Sequence, residues 1–155
     1  MKTILTIFIT IMTTVSVITQ NDKSMPLQTV KEFLTAYMAH DNEKFASYLH
    51  PDLVWEQPGS NRISGAKKSK AELLQMGATM GQLSEGTIRL ESVRYFDAYD
   101  DKVACILHWK AAQPNGALLD VENIDLYTVR DGKIVHAVIY TSDIDQENAF
   151  WGPMP

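Results

Sequence analysis

NIDLYTVRDGKIVHAVIY, residues 123–140, is the stretch on which the fold turns. Its two halves are apolar runs rich in Ile, Val and Tyr, and Arg130-Asp131-Gly132-Lys133 between them is the signal of a tight hairpin. Alternation along the first run puts Asn123, Asp125 and Tyr127 on one face and Ile124 and Leu126 on the other. A carboxylate, Asp125, therefore sits inside an apolar strand. Outward from this hairpin the β pattern continues. TIRLESVRYFDA (87–98), KVACILHWKAA (102–112), ALLDVENIDLYTVR (117–130) and KIVHAVIYTS (133–142) are four long strand candidates. YDDK, QPNG and RDGK separate them as turns. In the first strand the apolar phase slips between Leu90 and Val93, which predicts one extra residue, a bulge that bends the strand.

Upstream the period changes. Ser24 and Pro26 announce a helix, and Val30, Phe33, Leu34, Tyr37 and Met38 follow at spacings of three and four. Asp41 is placed to cap a second helix, whose buried side is Phe45, Ala46, Tyr48 and Leu49. His50 before Pro51 is pushed out of helical geometry and ends it. LVWEQPGSNRIS (53–64) then reads as a short strand, a Pro-Gly turn and a short return strand. Ser69 and Glu72 form a capping box for a third helix, which Gly77 and Gly81 weaken or end. Helices first and a long antiparallel meander after them make an α+β domain. Long bent strands curl, and the amphipathic first helix buries its face against their concave side. The result is a cone-shaped curved antiparallel sheet closed by N-terminal helices, with an open mouth.

The bulk properties narrow the function classes. The chain has 155 residues, enough for one domain with a sizeable core. Its formal charge is −5 with no long basic run, which argues against a nucleic-acid partner. Cys105 is the single cysteine and lies in an apolar strand pattern, so it reads as a small core hydrophobe. The leader differs in kind: Lys2 precedes a threonine-diluted apolar run from Ile4 to Ile18, short for a membrane span. That is the pattern of a signal peptide over 1–19, with a retained anchor as the alternative, followed by a linker at 20–25. The expectation is a periplasmic or secreted protein with no membrane attachment once the leader is removed. The domain runs over 26–143, with a C-terminal tail at 144–155 that either folds over the cone's mouth or a partner, or frays.

VKEFLTAYMAHDNEKFASYLHPDLVWEQPG and NIDLYTVRDGKIVHAVIY, in this order and spacing, resemble the nuclear-transport-factor-2-like superfamily, in particular its SnoaL-like branches of polyketide cyclases and ketosteroid isomerases. The likeness covers roughly residues 26–143. It implies the cone fold, a small apolar organic ligand, no cofactor and a sheet-to-sheet homodimer. Isomerases of this kind carry a carboxylate base just before the proline of the first short strand. Here Gln57 holds that place, and an amide does not accept a proton near neutral pH. Glu56 points to the opposite face. The resemblance therefore implies no classical ketosteroid isomerase. The tyrosine donor of the isomerases falls at Phe33, with Tyr37 one turn further on. Asp125 does match the aspartate that, in the isomerases, stays protonated and donates to a developing oxyanion, a pattern known from ketosteroid isomerase.

On residue chemistry, burial disfavours the ionised form of Asp125 and equips it to donate a hydrogen bond or act as an acid. His108 is the best proton acceptor within the strands, although alternation does not tell which face it takes. Asp125 and His108 are thus the catalytic candidates. Tyr37, Trp55, Gln57, Asn123 and Tyr127 are the ligand-binding candidates, apolar walls with a few directional polar groups. His136 and Tyr140 share a face of the last strand and line either the cavity or a dimer surface. The four histidines and one cysteine show no metal-ligand spacing. Two functions remain open: a cofactor-free isomerase, cyclase or dehydratase on an apolar ligand, or a non-catalytic dimerisation or protein-interaction module.

Overall fold

The structure, a computed structural model, describes residues 24–154, except the side chains at 24 and 96–98. The leader at 1–19 and linker residues 20–23 lie outside the described residues. Helix α1 (Ser24–Met38) turns Val30, Phe33, Leu34 and Ala36 inward. Asp41 caps helix α2 (Asn42–Ser47), its carboxylate accepting from the Lys44 backbone N–H at 3.0 Å. α2 ends earlier than its apolar pattern implies. Leu49 already pairs with Ile134, and the Ile134 N–H donates to the Tyr48 carbonyl at 2.8 Å, so sheet pairing takes these residues from the helix.

Strand β1 (Leu49–Gln57) and the short β2 (Gly65–Lys67) form one edge of the sheet. Ser69 Oγ then accepts from the Glu72 N–H at 3.2 Å, and Glu72 Oε2 accepts from the Lys68 N–H at 2.7 Å. These two bonds start helix α3 (Lys70–Leu83). Gly77 and Gly81 do not stop it. Leu73 and Met76 are buried on its inner face, and packing outweighs the weak propensity of the two glycines.

Strands β3 (Arg89–Tyr99), β4 (Lys102–Ala112), β5 (Leu118–Arg130) and β6 (Lys133–Thr141) form the meander. The sheet order is β2-β1-β6-β5-β4-β3. All neighbours are antiparallel except β1 and β6, which run parallel. A parallel pair needs a long crossover, and everything from β2 to β5 supplies it. Leu90 pairs with Trp109 and Ser92 with His108, so Glu91 is the extra residue of the bulge. In the β5–β6 turn, Asp131 (φ 49°) and Gly132 (φ 69°) both take the left-handed region, the geometry that a two-residue hairpin loop requires.

The sheet is curved and unclosed, with the core on its concave side. Val103, Cys105 and Leu107 of β4 and Leu119, Val121 and Tyr127 of β5 face the helices. Residues 144–151, assigned by sequence to the tail beyond the domain, form helix α4 (Ile144–Trp151). Asp143 caps it by accepting from the Gln146 N–H at 2.9 Å, and Phe150 and Trp151 are buried in the common core. Among the described residues no helix is long and apolar enough to cross a membrane.

Candidate functional site

The helices do not fill the hollow of the sheet. A cavity of about 430 Å³ remains between α1, α3, α4 and the concave faces of β1, β4, β5 and β6. Most of its wall is apolar: Phe33 and Tyr37 from α1, Trp55 from β1, Met76 and Met80 from α3, and Trp109 from β4. The aromatic groups brace one another. Phe33 stacks on Phe45 at 4.6 Å and meets the Tyr127 ring edge-on at 5.8 Å, while Tyr37 meets Trp109 edge-on at 5.2 Å.

The polar lining is concentrated on β1, β5 and α4. Alternation along β5 turns Asn123, Asp125 and Tyr127 inward, all at most 5% exposed, while Ile124 is 49% exposed on the other face. Tyr127 Oη donates to Asp125 Oδ2 at 2.6 Å. Asp125 Oδ1 has no partner within the protein, nor do Asn123 Oδ1 and Glu147 Oε2. Burial pushes the Asp125 carboxyl up to about 7, the Tyr127 bond draws it down, and the charge of Glu147 pushes it up again. Glu147, from α4, is 2% exposed and is likewise raised by burial, with Thr141, Asn123 and Gln57 drawing it back. Burial also raises Tyr37, to about 12, so its hydroxyl stays neutral. On β1, Trp55 Nε1 donates to Gln57 Oε1 at 3.2 Å. An indole N–H can only donate, so this bond orients the amide and leaves its NH₂ free to donate elsewhere.

A protein-family model of the SnoaL-like domain matches residues 30–137, more than half of the chain. The chain belongs to the SnoaL-like domain family. A solved structure of a protein of unknown function with a cystatin-like fold, from Xanthomonas campestris, is 33% identical at a TM-score of 0.77, covering 82% of this chain and 98% of that one. TerC, crystallised with polyporic acid, is 19% identical at a TM-score of 0.71, over 83% of this chain and 99% of its own. A nuclear-transport-factor-2-like protein from Burkholderia xenovorans is 17% identical at a TM-score of 0.67, over 82% of this chain and 96% of that one. No curated protein matches the chain. The SnoaL-like assignment and the nuclear-transport-factor-2-like fold agree with the order of elements described above.

Of the residues singled out by sequence, this SnoaL-like domain brings Asp125, Tyr37, Trp55, Gln57, Asn123 and Tyr127 together around this cavity. His108 is not among them. It lies on the convex face, its Nε2 at 2.5 Å from Asp120 Oδ1, because Leu107 and Trp109 take the inward positions of β4. Alternation left this undecided since Ala104 and Ile106, on the same side as His108, are apolar too. His136 also faces outward and meets Glu56 Oε1 at 2.7 Å. Glu147 escaped the sequence reading altogether. The signal was present: Glu147, Phe150 and Trp151 are spaced three and four apart behind an Asp cap, the pattern of a helix with one buried face.

Proposed function

We propose that the protein binds a small, mostly apolar organic molecule in this cavity and acts on it by acid–base chemistry from its own side chains. Isomerisation, cyclisation or elimination are the reactions within reach. One observation carries the reading: three buried, unpartnered oxygens gather in a cavity whose remaining wall is largely aromatic and aliphatic. A buried polar atom without a partner destabilises a fold by about 1–3 kcal/mol, and a polar group of a bound ligand, or a water, relieves that cost. Aromatic walls take the ligand's bulk, and Asp125, held by Tyr127 through Oδ2, directs Oδ1 to one polar group of it. That TerC, with the same fold, was crystallised with polyporic acid supports an organic ligand in the hollow.

The convex face supports a second copy of the chain as partner. Ile106, Ile124 and Tyr140 stand in register across three strands, beside a second row of Ala104, Leu126 and Val138. Ile124 and Tyr140 are 49% and 57% exposed, an apolar stripe bordered by the Arg94–Glu122 ion pair. The leader, as an expectation from sequence alone, would export the domain to the periplasm or beyond the cell.

The chain's three tryptophans all line the cavity, so their fluorescence reports on its contents. Steroids, lactones and aromatic polyketides titrated against the protein are expected to include at least one class that quenches it. A methyl added at Gly77 meets nothing within 4 Å, and this residue borders the hollow, so Gly77→Leu should fill space without unfolding α3. Affinity should then fall at least about tenfold, the loss of one well-filled apolar contact. A bound compound indifferent to both Gly77→Leu and Asp125→Asn would be sitting elsewhere, and the proposal would fail.

A further inference from the structure

The cavity holds two carboxyls, and the second comes from the C-terminal helix. α4 is tied down on several sides. Asn148 Oδ1 accepts from the Ser60 N–H at 2.8 Å and from Asn61 Nδ2 at 3.0 Å. Gln113 Nε2 donates to the Phe150 carbonyl at 2.7 Å, and the Arg62 N–H to the Gly152 carbonyl at 3.1 Å. Gly59 makes the first contact feasible, since a side chain there would begin 2.6 Å from Asn148 Oδ1. The backbone that carries Glu147 is thus fixed, and its side chain is delivered into the cavity beside Gln57, Asn123 and Asp125.

The two acids differ in their surroundings. Three neutral polar groups, from Thr141 on β6, Asn123 on β5 and Gln57 on β1, favour the ionised form of Glu147. Asp125 has one, Tyr127, on Oδ2. Of the other titratable groups, Asp143 at the start of α4 raises Glu147, the thiol of Cys105 on β4 is itself raised by Asp125, and Tyr95 on β3 and Cys105 act on Tyr127; none is cationic. Two carboxylates in such a site repel strongly, so one charge is held and the second resisted. Burial raises both acids, and the donors gathered on Glu147 favour it as the one that ionises first. Asp125 Oδ1, the oxygen that no protein group occupies, is left free to carry a proton toward a ligand.

We propose that Glu147 is a catalytic residue of this site, the general base that removes a proton from the carbon next to a carbonyl of the bound molecule, with Asp125 donating to that carbonyl's oxygen. The inference rests on the ligand cavity proposed above. In the step, the C–H bond breaks and its proton forms an O–H bond with Glu147. The freed pair becomes the carbon–carbon double bond of an enol, and the carbonyl π pair moves to oxygen, which takes the Asp125 proton. Return of the Glu147 proton to another carbon of the conjugated system, and of the enol proton to Asp125, restores both residues. No further reactant enters. Gln57, the position at which the isomerases hold their base, serves instead as a neighbour of the base.

Two measurements on the full chain test this. In the first, side-chain ¹³C-carboxyl NMR follows both acids across the pH range in the wild type, Asp125→Asn and Glu147→Gln. Glu147 should ionise below Asp125, and Glu147→Gln should lower the Asp125 midpoint by about one unit or more. The reverse order, or independent titration, overturns the assignment. In the second, 2-tetralone is incubated with the protein in D₂O, exchange of its α-protons is read by ¹H NMR, and its binding by tryptophan quenching. Wild type should accelerate exchange, and Glu147→Gln should lose ~10²–10⁴-fold of that rate while quenching persists. Glu147→Asp, which keeps the carboxylate, should recover part of it. Equal exchange in wild type and Glu147→Gln removes Glu147 as the base and leaves the binding cavity intact. No quenching by 2-tetralone overturns the ketone as substrate class, and the wider ligand screen then judges the cavity separately.

Discussion

Replacing Asp125 with asparagine tests the burial of this carboxyl without any ligand. Its proton is held to about 7 in the folded protein, against 3.8 for the unperturbed group, so the shift is roughly 3 units. At ~1.4 kcal/mol per unit this amounts to roughly 4 kcal/mol of folding free energy. The sign follows from proton counting. Below the unfolded value both states hold the proton and nothing depends on it. Between the two values the unfolded chain has lost its proton while the folded one keeps it, so stability falls as pH rises. The loss is complete just above the folded value. Asparagine keeps the shape and an acceptor for the Tyr127 hydroxyl, and it cannot ionise. Any constant effect of the swap is independent of pH, so the slope is diagnostic. Urea unfolding of both proteins at intervals from about pH 4 to about pH 8 should show the variant gaining on the wild type by roughly 4 kcal/mol across the range. Exposed acids with lowered values, such as Asp120 and Glu32, cancel in the difference. A difference that stays level would mean that Asp125 is solvated or already ionised, and the acid–base reading of the cavity would fall with it.

Two further outcomes follow from the packing. Ile124→Lys places a charge in the centre of the convex apolar stripe, at a residue that is 49% exposed. It should convert a dimer to a monomer in sedimentation while moving the urea midpoint little, and an unchanged sedimentation coefficient would refute this surface as the interface. Trp151→Ala removes a side chain that is 2% exposed and packs edge-on against Phe150 at 4.7 Å. The expected destabilisation is ~3–5 kcal/mol, and a change below about 1 kcal/mol would show that α4 is not part of the cooperative core.

Where sequence and structure part company, the reason is always a contact between distant residues. The bulge at Glu91 was legible because two apolar positions three apart had to share one face. The capping of α2 by Asp41 and of α3 by Ser69 was legible because a cap is satisfied within four residues. Leu49 was not, since its partner in the sheet, Ile134, is far along the chain. His108 was not, since both faces of β4 carry apolar residues and only the helices reveal which one is covered. Glu147 lay in a segment that shows helical spacing, but its place beside Asp125 depends on the Asn148 contacts to Ser60 and Asn61.

From its order of residues alone, this protein was determined to be a curved sheet with helices on one side and with Asp125 on the same face as Asn123 and Tyr127. Periodicity and local hydrogen bonding act over a few residues, so a linear text records them fully. Which acids meet in the hollow was decided by tertiary packing. Carboxyls from β5 and α4 become neighbours only after the chain has closed around a cavity, and burial then shifts the protons that each one holds.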